Sequence, residues 1–371
     1  MSELNVAVMP GDYIGPEIME ATLPTVERVA EIGGLDVKFV RLSISLEAYE
    51  QCGEHLPEST VASAKAADAI LKGPVGGPPD SRLPAHRDIE EEAVIGFRKR
   101  LGLDINLRPI NTKLSLIIPE ISPIKEEFVS DTDLIVVRDL SGDVYNGQSG
   151  VDSSSGKEVY FERNDYTEEQ VDRTVEAAIE IAELRGDKTI TLMHKKNVLK
   201  NTGGLWSRRF ALLASGRGFG LRYKHFDDGV QTIIGDSDEL ETIVTPNLVG
   251  DVISDATAKL MGSLGMGGAA EVGAQITAYT PIHGSAPFLE RDTANPSGML
   301  LSASMMFEGL GLTGLADITR QALGRVLDAG YLTPDLYARA NRMRHISFKP
   351  KLVGTQKFGE LVLAEVEKTA A

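Results

Sequence analysis

The chain has 371 residues, 42% hydrophobic and 25% charged, with a formal net charge of −16 and a single cysteine. This composition suits a soluble globular protein with room for two compact units. It excludes a disordered chain, a disulfide-stapled fold and a general surface for nucleic acid or anionic membrane, so any basic cluster needs a local reason such as a small anionic ligand.

Short β-rich runs alternate with helical patterns from end to end, which predicts an α/β protein with a largely parallel sheet. Val6 to Met9 is the first predicted strand. Gly11-Asp12-Tyr13-Ile14-Gly15 makes a turn, and Pro16 opens a helix to about Ala30 with Ile18, Leu23, Val26 and Val29 on its buried face. Val37 to Leu42 and Ala69 to Leu71 are the next strands, the latter running into the rigid loop Gly73 to Pro79. Residues near Ile89 to Leu101 read as a charged amphipathic helix, followed by a strand ending at Leu107 or Arg108. Leu134 to Val137 is a buried strand, and the Gly-, Ser- and Asp-rich stretch Ser141 to Lys157 is a projecting arm or hairpin. Then come a helix at Glu168 to Arg185, strands at Thr189 to Met193 and Arg222 to Phe226, and a helix at Leu248 to Leu264. A strand at Gln275 to Thr280, a loop from His283 to Asn295, and helices at Pro296 to Leu310, Asp317 to Ala329 and Phe358 to Lys368 complete the order. No apolar run approaches the ~20 residues of a membrane helix. Met1 to Met9 lacks a secretory pattern, so the expected location is cytoplasmic.

Three aspartates carry the strongest chemical signal. Asp251 and Asp255 are one helical turn apart, so their carboxylates share a helix face and repel unless a cation lies between them; the alternative is a solvated acidic face. Arg108, Arg138, Lys195 and Asp227 each stand at the carboxyl end of a predicted strand, where open α/β sheets place their ligands. Arg98, Arg108 and Arg138 offer planar forks for a small dianionic acid. Asp227, Asp251 and Asp255 supply hard oxygen ligands for a divalent metal. Lys195 is a candidate base, and Tyr145 is either a proton donor or a packing residue of the arm.

Two glycine signals compete for a nucleotide. Gly309 to Gly314 fits the dinucleotide fingerprint literally but follows a helical pattern, so it reads as a helix-to-helix turn. His283-Gly284-Ser285-Ala286-Pro287 follows a strand and leads through Asn295-Pro296 to a helix start, which suits phosphate or ribose.

Taken in order, Gly11 to Glu17, Asn106 to Pro109, Val137 to Gly142, Lys195-Lys196-Asn197, Gly250 to Asp255, and His283 to Pro287 with Asn295-Pro296 resemble the motifs of the β-decarboxylating dehydrogenases of 3-isopropylmalate, isocitrate, homoisocitrate and tartrate or malate. The resemblance spans nearly the whole chain. It implies a two-domain, non-Rossmann fold: a nucleotide-binding domain of residues 1–103 plus 263–371, and a central substrate, metal and dimerisation domain of residues 104–262 with its arm near 141–163. It further implies a homodimer with shared active sites, in which Lys195 and Asp227 serve the neighbouring subunit. In such enzymes hydride leaves C2 of the substrate for NAD(P) while Lys195 takes the hydroxyl proton. Mg²⁺ or Mn²⁺ on Asp227, Asp251 and Asp255 stabilises the enolate left by CO₂, and Tyr145 protonates C3. His283, Gly284, Ser285, Ala286 and Asn295 would hold the nucleotide.

Substrate choice is expected from Glu91, Val94 and Ile95, which resemble the 3-isopropylmalate pattern most closely, whereas Met193-His194-Lys195 resembles the isocitrate and homoisocitrate versions. Phe288 replaces the aspartate by which NAD-specific relatives hold the adenosine ribose. Glu290 or Asp292 could replace it, or Arg291 could favour a 2′-phosphate; the expectation is NAD, with NADP as the alternative. The basic segment Ala338 to Leu352 looks like an insertion, either a solvated loop or a segment reaching the nucleotide. Rival readings are the same chemistry on another 3-substituted malate, and a regulatory subunit without activity.

Overall fold

The structure, a computed structural model, describes residues 2–370. In chain order its strands include β1 (Ser2–Met9), β2 (Leu35–Arg41), β3 (Ala69–Lys72), β4 (Leu103–Asn111), β5 (Asp133–Asp139), β6 (Ser149–Asp152), β7 (Val159–Glu162), β8 (Thr189–His194), β9 (Gly220–His225), β10 (Thr242–Thr245), β11 (Gly268–Gly273) and β12 (Thr277–Pro281). The chain forms two compact units. Residues 1–103, 108–131 and 258–371 make the first, and residues 104–107 and 132–257 the second.

In the first unit β1 pairs in parallel with β2 and β3, β3 pairs in parallel with β12, and β11 returns antiparallel to β12. Val6, Ala7, Val8 and Met9 are all buried, as expected of a strand covered on both faces. The helix Ile14–Ile32 buries Ile18, Val26 and Val29 and packs on the helix Thr355–Ala370. A core of Met9, Ile44, Ile70, Phe97, Leu103 and Ala278 fixes the strand ends on which the charged groups stand.

The second unit is a parallel sheet in the order β5-β10-β8-β9. Its helix Glu168–Arg185 opens with a reciprocal capping box between Thr167 and Gln170 and closes at the left-handed Gly186. Val171, Val175, Ala178, Ile179 and Ala182 bury one face of it, which packs on β5 and β10. The helix Lys200–Ala214 adds Trp206 and Phe210. β6 and β7 form an antiparallel hairpin, Ser149 facing Glu162 and Asp152 facing Val159, with every residue of both strands exposed.

Several boundaries differ from expectation for local reasons. The helix expected at Leu248 to Leu264 ends at Ala258, followed by 3₁₀ turns at Lys259–Met261 and Leu264–Met266 on either side of Gly262, whose φ is 92°. The helix expected near Ile89 to Leu101 is a π-helical segment, Glu90–Gly96, running into a short α-helix, Phe97–Leu101. Residues 108–131 group with the first unit instead of the expected central domain, held there by the Ser115 Oγ bond to Asp328 and the Ser347 N bond to Glu120. The last change of unit falls at Ala258 instead of 263. No helix among the described residues is long and apolar enough to cross a membrane.

Candidate active site

In the second unit the polar residues gather around Arg138, near the end of β5. Its side chain is 2% exposed. Nε and Nη2 donate to Asn247 Oδ1 at 3.0 and 2.7 Å, Nη1 pairs with Asp251 Oδ1, and the guanidinium lies 5.6 Å from the centre of the Tyr145 ring. Tyr145 donates its hydroxyl to the other oxygen, Asp251 Oδ2, at 2.9 Å. Gly250 makes this approach possible: a Cβ there would meet Arg138 Cγ at 2.6 Å and Thr245 Cγ2 at 2.8 Å.

The helix Asn247–Ala258 that carries Asp251 and Asp255 is fixed at its start by Asp143, whose carboxylate accepts from Leu248 N at 3.0 Å, and by Tyr166 Oη, which accepts from Asn247 N at 3.0 Å. Burial raises the Asp139 carboxyl above the usual aspartate value. Burial, together with Asp139 and Asp143, pushes the Tyr166 phenol well up, so Tyr166 serves this network as a neutral donor.

Lys195 directly follows β8 and pairs with Asp227, which stands just past the carboxyl end of β9, in the first turn of the helix Phe226–Gly235. The Lys195 ammonium holds the Asp227 carboxyl below its ordinary value and lies 5.3 Å from the Phe226 ring. His194, one residue earlier, is buried, bonds Ser207 Oγ at 2.8 Å, and is pushed down to about 4 by burial. Within one chain, Asp227 is thus engaged with Lys195 while Asp251 is engaged with Arg138 and Tyr145. No group of three potential metal ligands comes together among the described residues. Asp251 and Asp255 nonetheless fit a hard cation. Both offer hard carboxylate oxygens, with the Asp251 side chain 36% exposed and Asp255 exposed on the same helix.

In the first unit Arg98 donates from Nε and Nη2 to Glu271 Oε1, at 2.8 and 2.6 Å. Arg108 is buried and lies inside β4, which continues to Asn111, so the expected strand end at 107 or 108 is corrected. Glu91 is exposed on the π-helical segment, and Val94 and Ile95 are half-buried. Such segments recur at functional sites because the widened turn re-aims side chains.

The loop His283–Pro287 meets two others. Ser285 Oγ donates to Gly76 O at 2.8 Å, and Ile14 N donates to Ser285 O at 3.3 Å. His283 Nδ1 lies 3.0 Å from Gly284 O, burial holds its imidazole below the usual range, Gly284 is exposed, and Ala286 has φ 47°. Asn295 is occupied as a cap: its Oδ1 accepts from Ser297 N at 3.0 Å and its Nδ2 donates to Asp335 at 3.1 Å. Asp292 is likewise a cap, accepting from Gln356 N at 3.0 Å, with its own N bonded to Glu17. Of the two carboxylates considered for the ribose, only Glu290 keeps an exposed side chain without such a bond. Lys351, in the basic segment, lies 4.3 Å from the Tyr331 ring and bonds Ala329 O.

Residues 5–362 match the family described as isocitrate/isopropylmalate dehydrogenase. The chain belongs to that family. Among its relatives are the 3-isopropylmalate dehydrogenases of Aquifex aeolicus, 34% identical over 99% of this chain and 98% of the relative, and of Moorella thermoacetica, 35% identical over 98% and 99%. Similar solved structures are an isocitrate dehydrogenase from Methylococcus capsulatus, with a TM-score of 0.83 and 26% identity over 98% of this chain and 99% of that one, and a β-decarboxylating dehydrogenase from Thermococcus kodakarensis, with a TM-score of 0.76 and 27% identity over 98% and 96%. The mostly parallel α/β fold expected from the sequence is the fold of this family.

Two residues of this isocitrate/isopropylmalate dehydrogenase family member escaped the sequence reading: Glu271 and Lys72. Each is a lone charge in an apolar strand, Ala270-Glu271-Val272 and Ile70-Leu71-Lys72, and that mismatch was the available signal.

Proposed function

We propose that this protein catalyses the oxidative decarboxylation of a 3-substituted malate, 3-isopropylmalate or a close analogue, with hydride transfer to NAD. The observation that carries this reading is the bonding of Arg138 and Tyr145 to Asp251, on a helix that also bears Asp255. Asp251 and Asp255, with Asp227 contributed by a second copy, would hold Mg²⁺ or Mn²⁺. When bound, such a metal polarises the C2 oxygen and favours loss of the neighbouring carboxylate.

The chain's own residues do the rest. Arg98, Arg108 and Arg138 hold substrate carboxylates through planar forks. Lys195 accepts the proton of the C2 hydroxyl, and Tyr145 returns a proton at C3. Glu91, Val94 and Ile95 face the C3 substituent, two of them supplying an aliphatic lining. His283 to Ala286 and Asn295 shape the nucleotide loop, and NADP is the alternative if Arg291 meets a 2′-phosphate.

The hairpin supports a homodimer: Val151 and Val159 are half-exposed and Tyr160 is 71% exposed on a two-stranded ribbon, which is marginal alone and would be stabilised by a second copy. Lys195 and Asp227 would then serve the partner's site.

The test is reduction of NAD and NADP with Mn²⁺ across 3-isopropylmalate, isocitrate, homoisocitrate, tartrate and malate, with and without chelator. Metal-dependent turnover that peaks with an alkyl substituent is expected. No turnover on any of them sinks the proposal.

A further inference from the structure

Glu271 stands in the middle of β11 with its side chain 2% exposed. A carboxylate taken out of water at that depth is strongly disfavoured unless cations answer it. Within the same unit, cations do. Arg98 places both Nε and Nη2 on the single oxygen Oε1. Lys72, 4% exposed at the end of β3, and Arg108 act on the carboxylate through space. Lys72 also lies 5.5 Å from the ring of Phe97, the residue before Arg98. The second oxygen, Oε2, is buried with no hydrogen-bond partner among the described residues, so electrostatics from several cations, and not a second bond, balances it.

This geometry has a consequence for Arg98. Nε and Nη2 form one edge of the guanidinium, and that edge is taken by Glu271. The edge formed by Nη1 and Nη2 keeps its outward donors, the pair that matches the two oxygens of a carboxylate.

We propose that Glu271, set between Lys72 and Arg98, is a positioning residue that fixes the Arg98 fork so that its opposite edge binds a substrate carboxylate. The inference rests on the reading of Arg98 as a substrate ligand. Burial pushes the Glu271 carboxyl up, yet Arg98 and Lys72 bring it below the usual glutamate value. Lys72 itself is pushed down by burial, with Glu271 opposing that shift.

A loosened fork weakens binding and leaves later steps alone, so KM and kcat should separate. In Glu271→Gln the KM for the 3-substituted malate should rise about tenfold or more while kcat changes less than about threefold, and the KM for the nucleotide should stay put. Glu271→Asp, which keeps the charge one methylene back, should fall between the two. Calorimetric titration with 3-isopropylmalate and Mn²⁺ reads the same contact without turnover. Wild-type protein that neither binds nor turns over any 3-substituted malate overturns the substrate reading. Wild-type protein that binds, beside a Glu271→Gln protein of unchanged affinity, overturns the positioning role. Should Glu271→Gln fail to fold, the Lys72→Met/Glu271→Gln double variant, which removes both buried charges, and Glu271→Asp are titrated in its place; affinity within about twofold of wild type in either is the overturning result.

Discussion

Arg98 and Arg138 each share a carboxylate, and the two pairs are buried in opposite senses. Around Arg138 the arginine is sealed, 2% exposed, and its acid Asp251 faces outward at 36%. Around Arg98 the acid Glu271 is sealed at 2%, and the arginine faces outward at 17%. In each pair the more exposed member is braced by the sealed one. The outer groups differ in sign: a carboxylate suits a cation, and a guanidinium suits an anion. Under the proposed function, one protein would present both kinds of recognition while keeping each of these charges compensated when nothing is bound.

The comparison is broken most severely at Asp251. With Mn²⁺ and the best substrate, Asp251→Asn should lower kcat by about 10³-fold, the scale of losing one stabiliser of developing negative charge. A rate within tenfold of wild type, with unchanged metal dependence, would remove Asp251 from the outward, cation-facing role.

His194 tests the sealed side of the second unit. Its folded pKa of about 4 lies below the ordinary 6.5, so the unfolded chain binds the extra proton as pH falls. The stability contributed by the neutral ring is whole above pH 6.5 and is lost progressively between pH 6.5 and about 4. Between pH 7 and pH 4.5 wild-type protein should lose roughly 2 to 3 kcal/mol more than His194→Gln, measured by denaturant unfolding at each pH. Parallel losses in the two proteins would mean the ring is not held neutral.

Arg98→Lys sharpens the contrast from the other unit. A lysine keeps the charge and loses the fork, so KM for the substrate should rise about tenfold with little change in kcat. Equal kinetics would show that only net charge matters there. The smallest effect belongs to a polar group that only supports the frame: Asp292→Ala should cost about 1 kcal/mol in unfolding free energy through loss of the Gln356 cap. The NAD to NADP activity ratio should stay the same, and a changed ratio would return Asp292 to the nucleotide site.

Much of this arrangement was legible in the residues because it is periodic or local. The spacing of Asp251 and Asp255 fixes them on one helical face, and the helix Glu168–Arg185 declares its ends through Thr167, Gln170 and Gly186. The apolar run at Leu134 to Val137 places Arg138 near the end of β5. What was hidden depends on distant pairing. Glu271 is 173 positions from Arg98, and no window of sequence contains both. The capping bonds of Asp292 and Asn295 were hidden too, because a capping aspartate or asparagine and a ribose-binding one look alike until their backbone partners are known. The π-helical segment was missed because its apolar spacing over one turn mimics an ordinary helix.

That segment also bears on how substrate preference is able to diverge. A π-turn holds one residue more than the α-turn it replaces, and each residue of an α-helix is about 100° of rotation from the next. Val94 and Ile95 lie inside the widened stretch, whereas Ile89 before it and Phe97 after it are anchored in the core. Under the proposed function, loss or gain of a single codon between those anchors would swing a different side chain toward the C3 substituent while Arg98 kept its place. Pocket chemistry and carboxylate grip would then be separately heritable traits of the same short helix.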